Sequence, residues 1–233
     1  MRVVGQSLAK LNLTLHITGR REDGYHQLQS LVAFTEVGDE LTVQSHAALS
    51  LTVNGPQAVQ LGHSSENSIL VAASRLRETF HVDAGAQMTL TKVLPVASGI
   101  GGGSGDAALA LRLLAELWGI KPTHAELSAL ALSIGADVPV CLHSVSGWME
   151  GIGEQFQALH CPLPESAVVL INPLMPLPTP QVFAHYRRQN PPFSSTPPLV
   201  LSFADVEALI EYVAAQRNDL THSACEIMPE IST

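Results

Sequence analysis

The run Pro95-Val-Ala-Ser98-Gly99-Ile-Gly101-Gly102-Gly103-Ser104-Gly105-Asp106-Ala-Ala108 is a glycine-dense loop leading straight into an alanine- and leucine-rich segment. Glycines remove the Cβ atoms that would keep an anion away from backbone N–H groups, and a helix start adds unpaired donors and a partial positive charge. The chemistry on offer is a phosphate cradle with a nucleotide as its ligand; the alternative is a flexible connection that binds nothing. A Walker A loop is excluded, because it closes on Gly-Lys-Ser/Thr and this one closes on Gly103-Ser104-Gly105-Asp106. A dinucleotide G-x-G-x-x-G fails as well: counted from Gly99 it meets Ser104 at the last position, and counted from Gly101 it meets Asp106.

Three further places carry reactive groups. Lys10 sits in an otherwise apolar run with Asn12 two residues on, so strand geometry puts both on one face roughly 7 Å apart. That suits a cation facing a site, and it equally suits an edge-strand lysine on a solvated face. Asp137 follows Gly135-Ala136 and precedes the apolar Val138-Pro-Val-Cys-Leu142. A carboxylate there is either paired and functional, because an isolated buried charge costs several kcal/mol, or the cap of a helix or turn. Gly24-Tyr25-His26 follows the charged turn Arg20-Arg-Glu-Asp23. A tyrosine face and a directional imidazole suit a base or sugar, while composition alone reads them as an aromatic at the start of a strand beside a surface histidine. His63, His81, His124 and His160 show no H-E-x-x-H or paired spacing and are read as surface or structural, so metal binding by the protein alone is not indicated.

The elements that must position these groups follow from periodicity. Lys10 to Ile17 alternates strictly and predicts one strand, with Leu11, Leu13, Leu15 and Ile17 on one face. Further strands are predicted at about 27–34, 41–43, 49–53 and 88–94. Ile69, Leu70, Ala73, Leu76 and Phe80 recur at helical spacing after the polar residues 64–67, which predicts a helix of about three turns. After the glycine loop, Ala107, Ala110, Leu111, Leu114, Leu117 and Trp118 form a stripe ending at Gly119, a natural left-handed cap. Thr123 and Glu126 form a capping box for a second helix, with Leu127, Leu130, Ala131 and Ile134 toward the core up to Gly135. Prolines 173, 176, 178 and 180, and then the stretch 191–198, read as long ordered loops or a hinge. Beyond them only 203–216 is clearly amphipathic, and there is no internal repeat.

Composition limits the partners. With 233 residues, 46% apolar and only 14% charged, the chain buries a substantial core in one large or two small domains. A net charge of -9 with twelve Lys and Arg argues against nucleic acid or an anionic membrane, so a bound phosphate must be held locally. Cys141, Cys161 and Cys225 are widely spaced and odd in number, which indicates neither a disulfide framework nor a zinc knuckle and fits a reducing cytoplasm. The N-terminus has no apolar signal core, and no run approaches the length of a membrane span.

Taken in order, Ala9-Lys10-Leu-Asn12-Leu13, Arg21-Glu-Asp-Gly-Tyr-His26, the loop from Pro95 to Ala108 and Gly135-Ala-Asp137-Val-Pro139 resemble the GHMP kinase superfamily from about residue 5 onward. Within it, the combination of Arg-x-Asp-Gly-Tyr-His with the Gly-Gly-Gly-Ser loop is similar to the members that phosphorylate the 2-hydroxyl of 4-(cytidine 5'-diphospho)-2-C-methyl-D-erythritol (CDP-methylerythritol) in non-mevalonate isoprenoid synthesis. The resemblance implies a cytoplasmic, ATP- and Mg²⁺-dependent small-molecule kinase, monomer or homodimer. It implies an α+β fold with a ribosomal-protein-S5-like ATP-binding half, 1–158, a ferredoxin-like half, 159–233, and the active site between them. It places Lys10 and Asp137 as catalytic lysine and aspartate. Pro95, Ser98, Gly99, Gly101 to Gly103, Ser104, Gly105 and Asp106 fall in the ATP phosphate loop, and Lys92 and Asn67 in the adenosine pocket. Asn12 falls near the substrate, and Tyr25, His26 and Phe183 around the cytosine.

Two departures from the family pattern stand out. Gly105 occupies a position where a second serine is common, which removes one hydroxyl from the loop. The chain as given ends at Glu230-Ile-Ser-Thr233, whereas members usually continue with a third glycine-rich motif, so the second half is expected to be incomplete. Two alternatives therefore remain. A GHMP kinase for another small alcohol would keep the ATP loop without the Tyr25, His26 and Phe183 clamp. A nucleotide-binding module without catalysis fits the missing motif but leaves Lys10 and Asp137 unexplained.

Overall fold

The structure, a computed structural model, describes residues 1–61 and 67–232; His63, residues 64–66 of the polar stretch expected ahead of the first helix, and Thr233 lie outside the described residues. The fold is mixed α+β, as expected. Among the described residues the strands are β1 (Arg2–Asn12), β2 (His16–Arg20), β3 (His26–His46), β4 (Ser50–Asn54), β5 (Gly85–Thr91), β6 (Gly147–Gly151) and β7 (Gln155–Ala158). The α-helices are α1 (Ser68–Thr79), α2 (Gly102–Trp118), α3 (His124–Ile134), α4 (Val138–His143), α5 (Thr179–Gln189), α6 (Val206–Ala214) and α7 (Thr221–Ile227). No helix among the described residues is long and apolar enough to cross a membrane.

The chain forms two compact units that interleave in sequence. The first comprises Met1–Lys10, Thr35–Val96 and Gly101–Ser144. In it β5 pairs antiparallel with the second part of β3 and parallel with β4. The β3–β5 register sets Leu41 opposite Leu90 and Val43 opposite Met88, and all four are fully buried. Ile69, Ala72, Ala73 and Leu76 of α1 and Ala107, Ala110, Leu111 and Leu114 of α2 complete that core, so most of the two apolar stripes legible in the sequence is buried, with Leu70, Phe80 and Trp118 half-buried. Helix α2 ends at Gly119 with φ +67°, and α3 starts on the complete Thr123/Glu126 capping box.

The second unit comprises Leu11–Phe34, Ala97–Ile100 and the chain from Val145 onward. Here the first part of β3 pairs with β2 and β6, and β6 with β7. Leu31, Trp148 and Leu209 form a buried cluster with Leu199, Leu201, Phe203 and Tyr212 against it. The Trp148 indole is fully buried and donates its Nε1–H to the Val200 carbonyl at 2.8 Å, which satisfies its one polar atom.

Several elements differ from expectation. The single strand over 10–17 is two: β1 ends at Asn12, and Thr14 turns inward, its hydroxyl accepting from the Leu31 N–H. Leu15 instead exchanges backbone hydrogen bonds with Arg217 and Asp219, so Thr14, Leu15, His16 and Ile17 are all buried and strict alternation is lost. The predicted strands at 27–34 and 41–43 are one 21-residue strand, β3. Gly38 and Asp39, between the two expected ranges, lie inside it. Helix α2 starts among the glycines at Gly102, and β5 stops at Thr91 instead of reaching Leu94. Helix α5 rises inside the proline stretch because Pro178 precedes it and Pro180 lies in its first turn, where a missing N–H costs no helical bond. The brief β6, β7, α4 and α7 carried too little periodicity to be predicted.

Gly38 shows how closely β1 and β3 approach. A Cβ there would run into the Ser7 carbonyl and the Leu8 Cα, backbone that cannot swing aside. Gly38→Ala should lower stability by about 2 kcal/mol or more, the usual cost of overpacking, read as a shift in urea midpoint. An unchanged midpoint would show that the two strands can separate without penalty.

Candidate active site

The glycine loop is held at both ends within the first unit. After Thr91 the chain leaves the strand, and Asp39 Oδ1 accepts the next two free N–H groups, from Val93 at 2.6 Å and Leu94 at 2.9 Å. Lys92 Nζ donates to Asp39 Oδ2 at 2.6 Å and to Asp106 Oδ2 at 2.7 Å, and all three side chains are essentially buried. Burial pushes the Asp106 carboxyl up to about 6; Lys92 opposes the rise and Asp39 adds to it. Gly101 precedes α2 with φ +70°, and its Cα faces the stem of Lys10, where a Cβ would lie 3.1 Å from Lys10 Cβ. The first bond of the helix runs from Gly105 N–H to Gly101 O at 2.7 Å, so the N–H groups of Gly102, Gly103 and Ser104 fall outside the helical ladder. The Ser68 hydroxyl donates to Gly103 O at 2.8 Å and ties the start of α1 to that first turn.

Lys10 is not on a solvated face. It is 1% exposed, and its Nζ lies 3.2 Å from Asp137 Oδ1, while the Asp137 side chain is 40% exposed. Asp137 occupies the cap position of α4 but makes no capping bond, so its carboxylate is directed to the lysine. Cys141, one turn further on, is buried, and its thiol is pushed up to about 12, chiefly by that burial; it is inert as a nucleophile.

In the second unit the tight turn Arg21–Tyr25 leads into β3, with Gly24 at φ +91°. The His26 ring stacks on Phe183 at 5.5 Å with an interplanar angle of 23°, and meets Tyr186 edge-on at 5.5 Å. Burial, with Arg20 and Arg187 nearby, holds the His26 pKa below its ordinary 6.5, so the imidazole is neutral at pH 7. Tyr25 is 55% exposed. Asn12 Oδ1 lies 3.0 Å from Ser30 Oγ, which also reaches Thr14 O at 2.5 Å.

The structure thus brings Lys10 to Asp137, joins Lys92 to Asp106 at the two ends of the loop, and stacks His26 on Phe183. Asn67 caps α1, its Oδ1 accepting the Ile69 N–H at 2.9 Å. Ser98 and Gly99 lie in the turn before α2; a Cβ on Gly99, at φ +75°, would meet open space, and Pro95 follows the Asp39-bound residues. Gly105 is buried, with Ser7 Oγ 2.5 Å from where its Cβ would stand. Sequence reasoning missed Asp39, Ser7 and Tyr186. Tyr186 was within reach, because it stands three residues after Phe183 on one helical face. Asp39 was not, since nothing local marks an acidic residue in a strand as buried.

Residues 67–145 match the family description "GHMP kinases N terminal domain". The chain is 49% identical over 223 residues to a 4-diphosphocytidyl-2-C-methyl-D-erythritol kinase of Paramagnetospirillum magneticum, covering 96% of this chain and 76% of the relative. It is 48% identical over 225 residues to the protein of that name from Cereibacter sphaeroides, covering 96% and 77%. A crystal structure of a 4-(cytidine 5'-diphospho)-2C-methyl-D-erythritol kinase superposes with a TM-score of 0.71 at 31% identity, over 99% of this chain and 80% of that one. A mevalonate kinase from L. major shares the fold, with a TM-score of 0.56 at 15% identity over 81% of this chain and 62% of its own. A lysine-held aspartate, a glycine turn opening a helix, and this degree of identity agree: the chain belongs to the GHMP kinases, in the family of 4-diphosphocytidyl-2-C-methyl-D-erythritol kinases.

Proposed function

We propose that the protein transfers the γ-phosphoryl group of ATP to the 2-hydroxyl of CDP-methylerythritol, a step of non-mevalonate isoprenoid synthesis. The observation that carries the reading is the Lys10–Asp137 pair: a buried ammonium 3.2 Å from a carboxylate that keeps 40% of its surface accessible. The substrate assignment rests on the 48–49% identity with relatives of that activity by name.

In the reaction the hydroxyl oxygen forms a bond to the γ-phosphorus, the bond to the β-bridging oxygen breaks, and ADP leaves. Asp137 orients the hydroxyl and accepts its proton. Lys10 holds the Asp137 carboxylate in place and offsets charge on the transferring group. The free N–H groups of Gly102, Gly103 and Ser104 supply fixed donors for phosphate oxygens, with the helix dipole behind them. Because phosphoryl transfer can pass through a loose transition state, positioning by these groups outweighs the basicity of Asp137.

Among the described residues no three His, Cys, Asp or Glu side chains gather into a metal site. Mg²⁺ would arrive with the nucleotide, since it keeps several waters and binds mainly through phosphates; the Ser104 hydroxyl, in the first turn of α2, would be a protein group able to hold it. When bound it would neutralise charge on the β- and γ-phosphates. For the cytidine, the aromatic cluster of His26, Phe183 and Tyr186 supplies the stacking surface, with the exposed Tyr25 beside it in sequence and Asn12 as a further polar contact.

Turnover, measured as ADP release with and without CDP-methylerythritol, should depend on that substrate; ATP binding without such turnover would favour a binding module. Asp137→Asn should lower kcat by about 10² to 10⁴ while the affinity for a non-hydrolysable ATP analogue stays within about threefold. A variant with full kcat would remove Asp137 from the chemistry. Phe183→Ala should raise the KM for CDP-methylerythritol about tenfold, the scale of one lost base stack, and leave the KM for ATP in place. That KM should be flat with pH above the ordinary histidine pKa of 6.5 and rise below the depressed value at His26, where protonation puts a charge in the stack. A KM for CDP-methylerythritol that ignores Phe183 and the protonation of His26 would place the cytidine elsewhere.

A further inference from the structure

We propose that Asp39 is a positioning residue for nucleotide binding: with Lys92 and Asp106 it buckles the two ends of the glycine loop together and so sets the phosphate-facing N–H groups before ATP arrives. The inference rests on reading that loop as the ATP phosphate site.

The buckle is built from three separate elements. Asp39 lies in β3 and is fully buried. The β3–β5 register sets Glu40 opposite Thr91, so the antiparallel pairing brings Asp39 opposite Lys92, just where β5 ends. One carboxylate then does the work of a missing ladder: Oδ1 takes the N–H groups of Val93 and Leu94, and Oδ2 takes the Lys92 ammonium. The same ammonium reaches over to Asp106 in α2 at 2.7 Å. Residues 92–94 and residue 106 bracket the loop, and every bond of the bracket passes through Asp39 or Lys92.

The bracket lies directly under the phosphate-facing turn. A Cβ placed on Gly102 would sit 3.1 Å from Lys92 Nζ and 4.0 Å from Asp39 Oδ2. Lys92 is therefore engaged from beneath the loop, and it acts on the nucleotide through backbone geometry. One lysine against two carboxylates is an unfavourable charge balance to bury below an anion site; burial chiefly raises the Asp106 pKa, and Asp39 adds to the rise. Such an arrangement is tolerated where it fixes geometry, because a loop ordered in advance spares the conformational entropy that binding would otherwise consume.

The test uses the whole protein with ATP, CDP-methylerythritol and a non-hydrolysable ATP analogue. Asp39→Asn keeps the Oδ1 acceptor but turns an amide toward the lysine. It should raise the KM for ATP and the calorimetric Kd of the analogue tenfold or more, with the KM for CDP-methylerythritol and the kcat at saturating ATP within threefold. Asp106→Asn breaks the other arm, leaves a neutral Lys92–Asp39 pair, and should show the same split; it carries the test if Asp39→Asn fails to fold. The double variant should be no worse than the weaker-binding single, because both cuts open one bracket. Unchanged ATP affinity in folded single variants, a joint rise of both KM values with a fall in kcat, or additive losses in the double variant would each overturn the proposal. Failure of the unsubstituted protein to bind the analogue would instead overturn the nucleotide reading, and the inference with it.

Discussion

Burying a lysine ammonium is the constraint around which the first unit is arranged. Lys92 is 2% exposed, so bulk solvent cannot take the place of its partners. An ammonium in that position is tolerable only where carboxylates come to it in good geometry. Meeting that demand requires a strand, the end of its neighbour and a helix start to be placed together, because Asp39, Lys92 and Asp106 belong to different elements. A one-residue slip of β3 against β5 would turn Asp39 to the opposite face and leave the lysine with half its partners. The ion cluster thus enforces the same register that sets Leu41 on Leu90 and Val43 on Met88. Apolar packing supplies the stability, and the cluster excludes the alternatives.

Lys10 meets the same constraint differently. Its Nζ lies 3.2 Å from the Asp137 carboxylate, and that partner is partly exposed. In the Lys92 cluster both acids are as buried as the base, which makes it a fixture; in the Lys10 pair the asymmetry leaves a carboxylate open to an incoming group. Gly101 carries the connection between them, since its positive φ starts α2 and its missing side chain leaves room for the Lys10 stem. Two buried lysines therefore serve opposite ends, one to hold backbone and one to present an acid.

What could be read in the sequence was what local pattern encodes. The stripes of α1 and α2, the Thr123/Glu126 box and the Gly119 cap each follow from residues a few positions apart, and each is present. The groups with chemistry were legible by type: Lys10 and Asp137 were singled out, and they are hydrogen-bonded. The misreadings occur where distant segments decide. Lys10 to Ile17 alternates in sequence, but Thr14 turns inward to Leu31 and Leu15 pairs with the far segment at Arg217 and Asp219. Asp39 falls between the two expected strands and drew no reading, because its partners lie at Lys92 and beyond. Helix α5 was hidden because prolines signal loops unless they fall in a first turn.

Gly105 shows how a local reading can be complete and still mislead. Read along the chain, glycine at that position is a hydroxyl lost from the loop. In the folded unit the Ser7 hydroxyl of β1 stands 2.5 Å from where a side chain at 105 would begin, so a serine there would collide with it. Ser7 is 3% exposed. A hydroxyl is therefore present beside the first turn of α2, supplied by the neighbouring strand. The small residue at 105 and the polar one at 7 require each other by volume: enlarging the first displaces the second, and removing the second leaves a void beside a buried carboxylate. The departure at Gly105 is one half of a pair, and its other half lies in a strand whose sequence gives no sign of the loop.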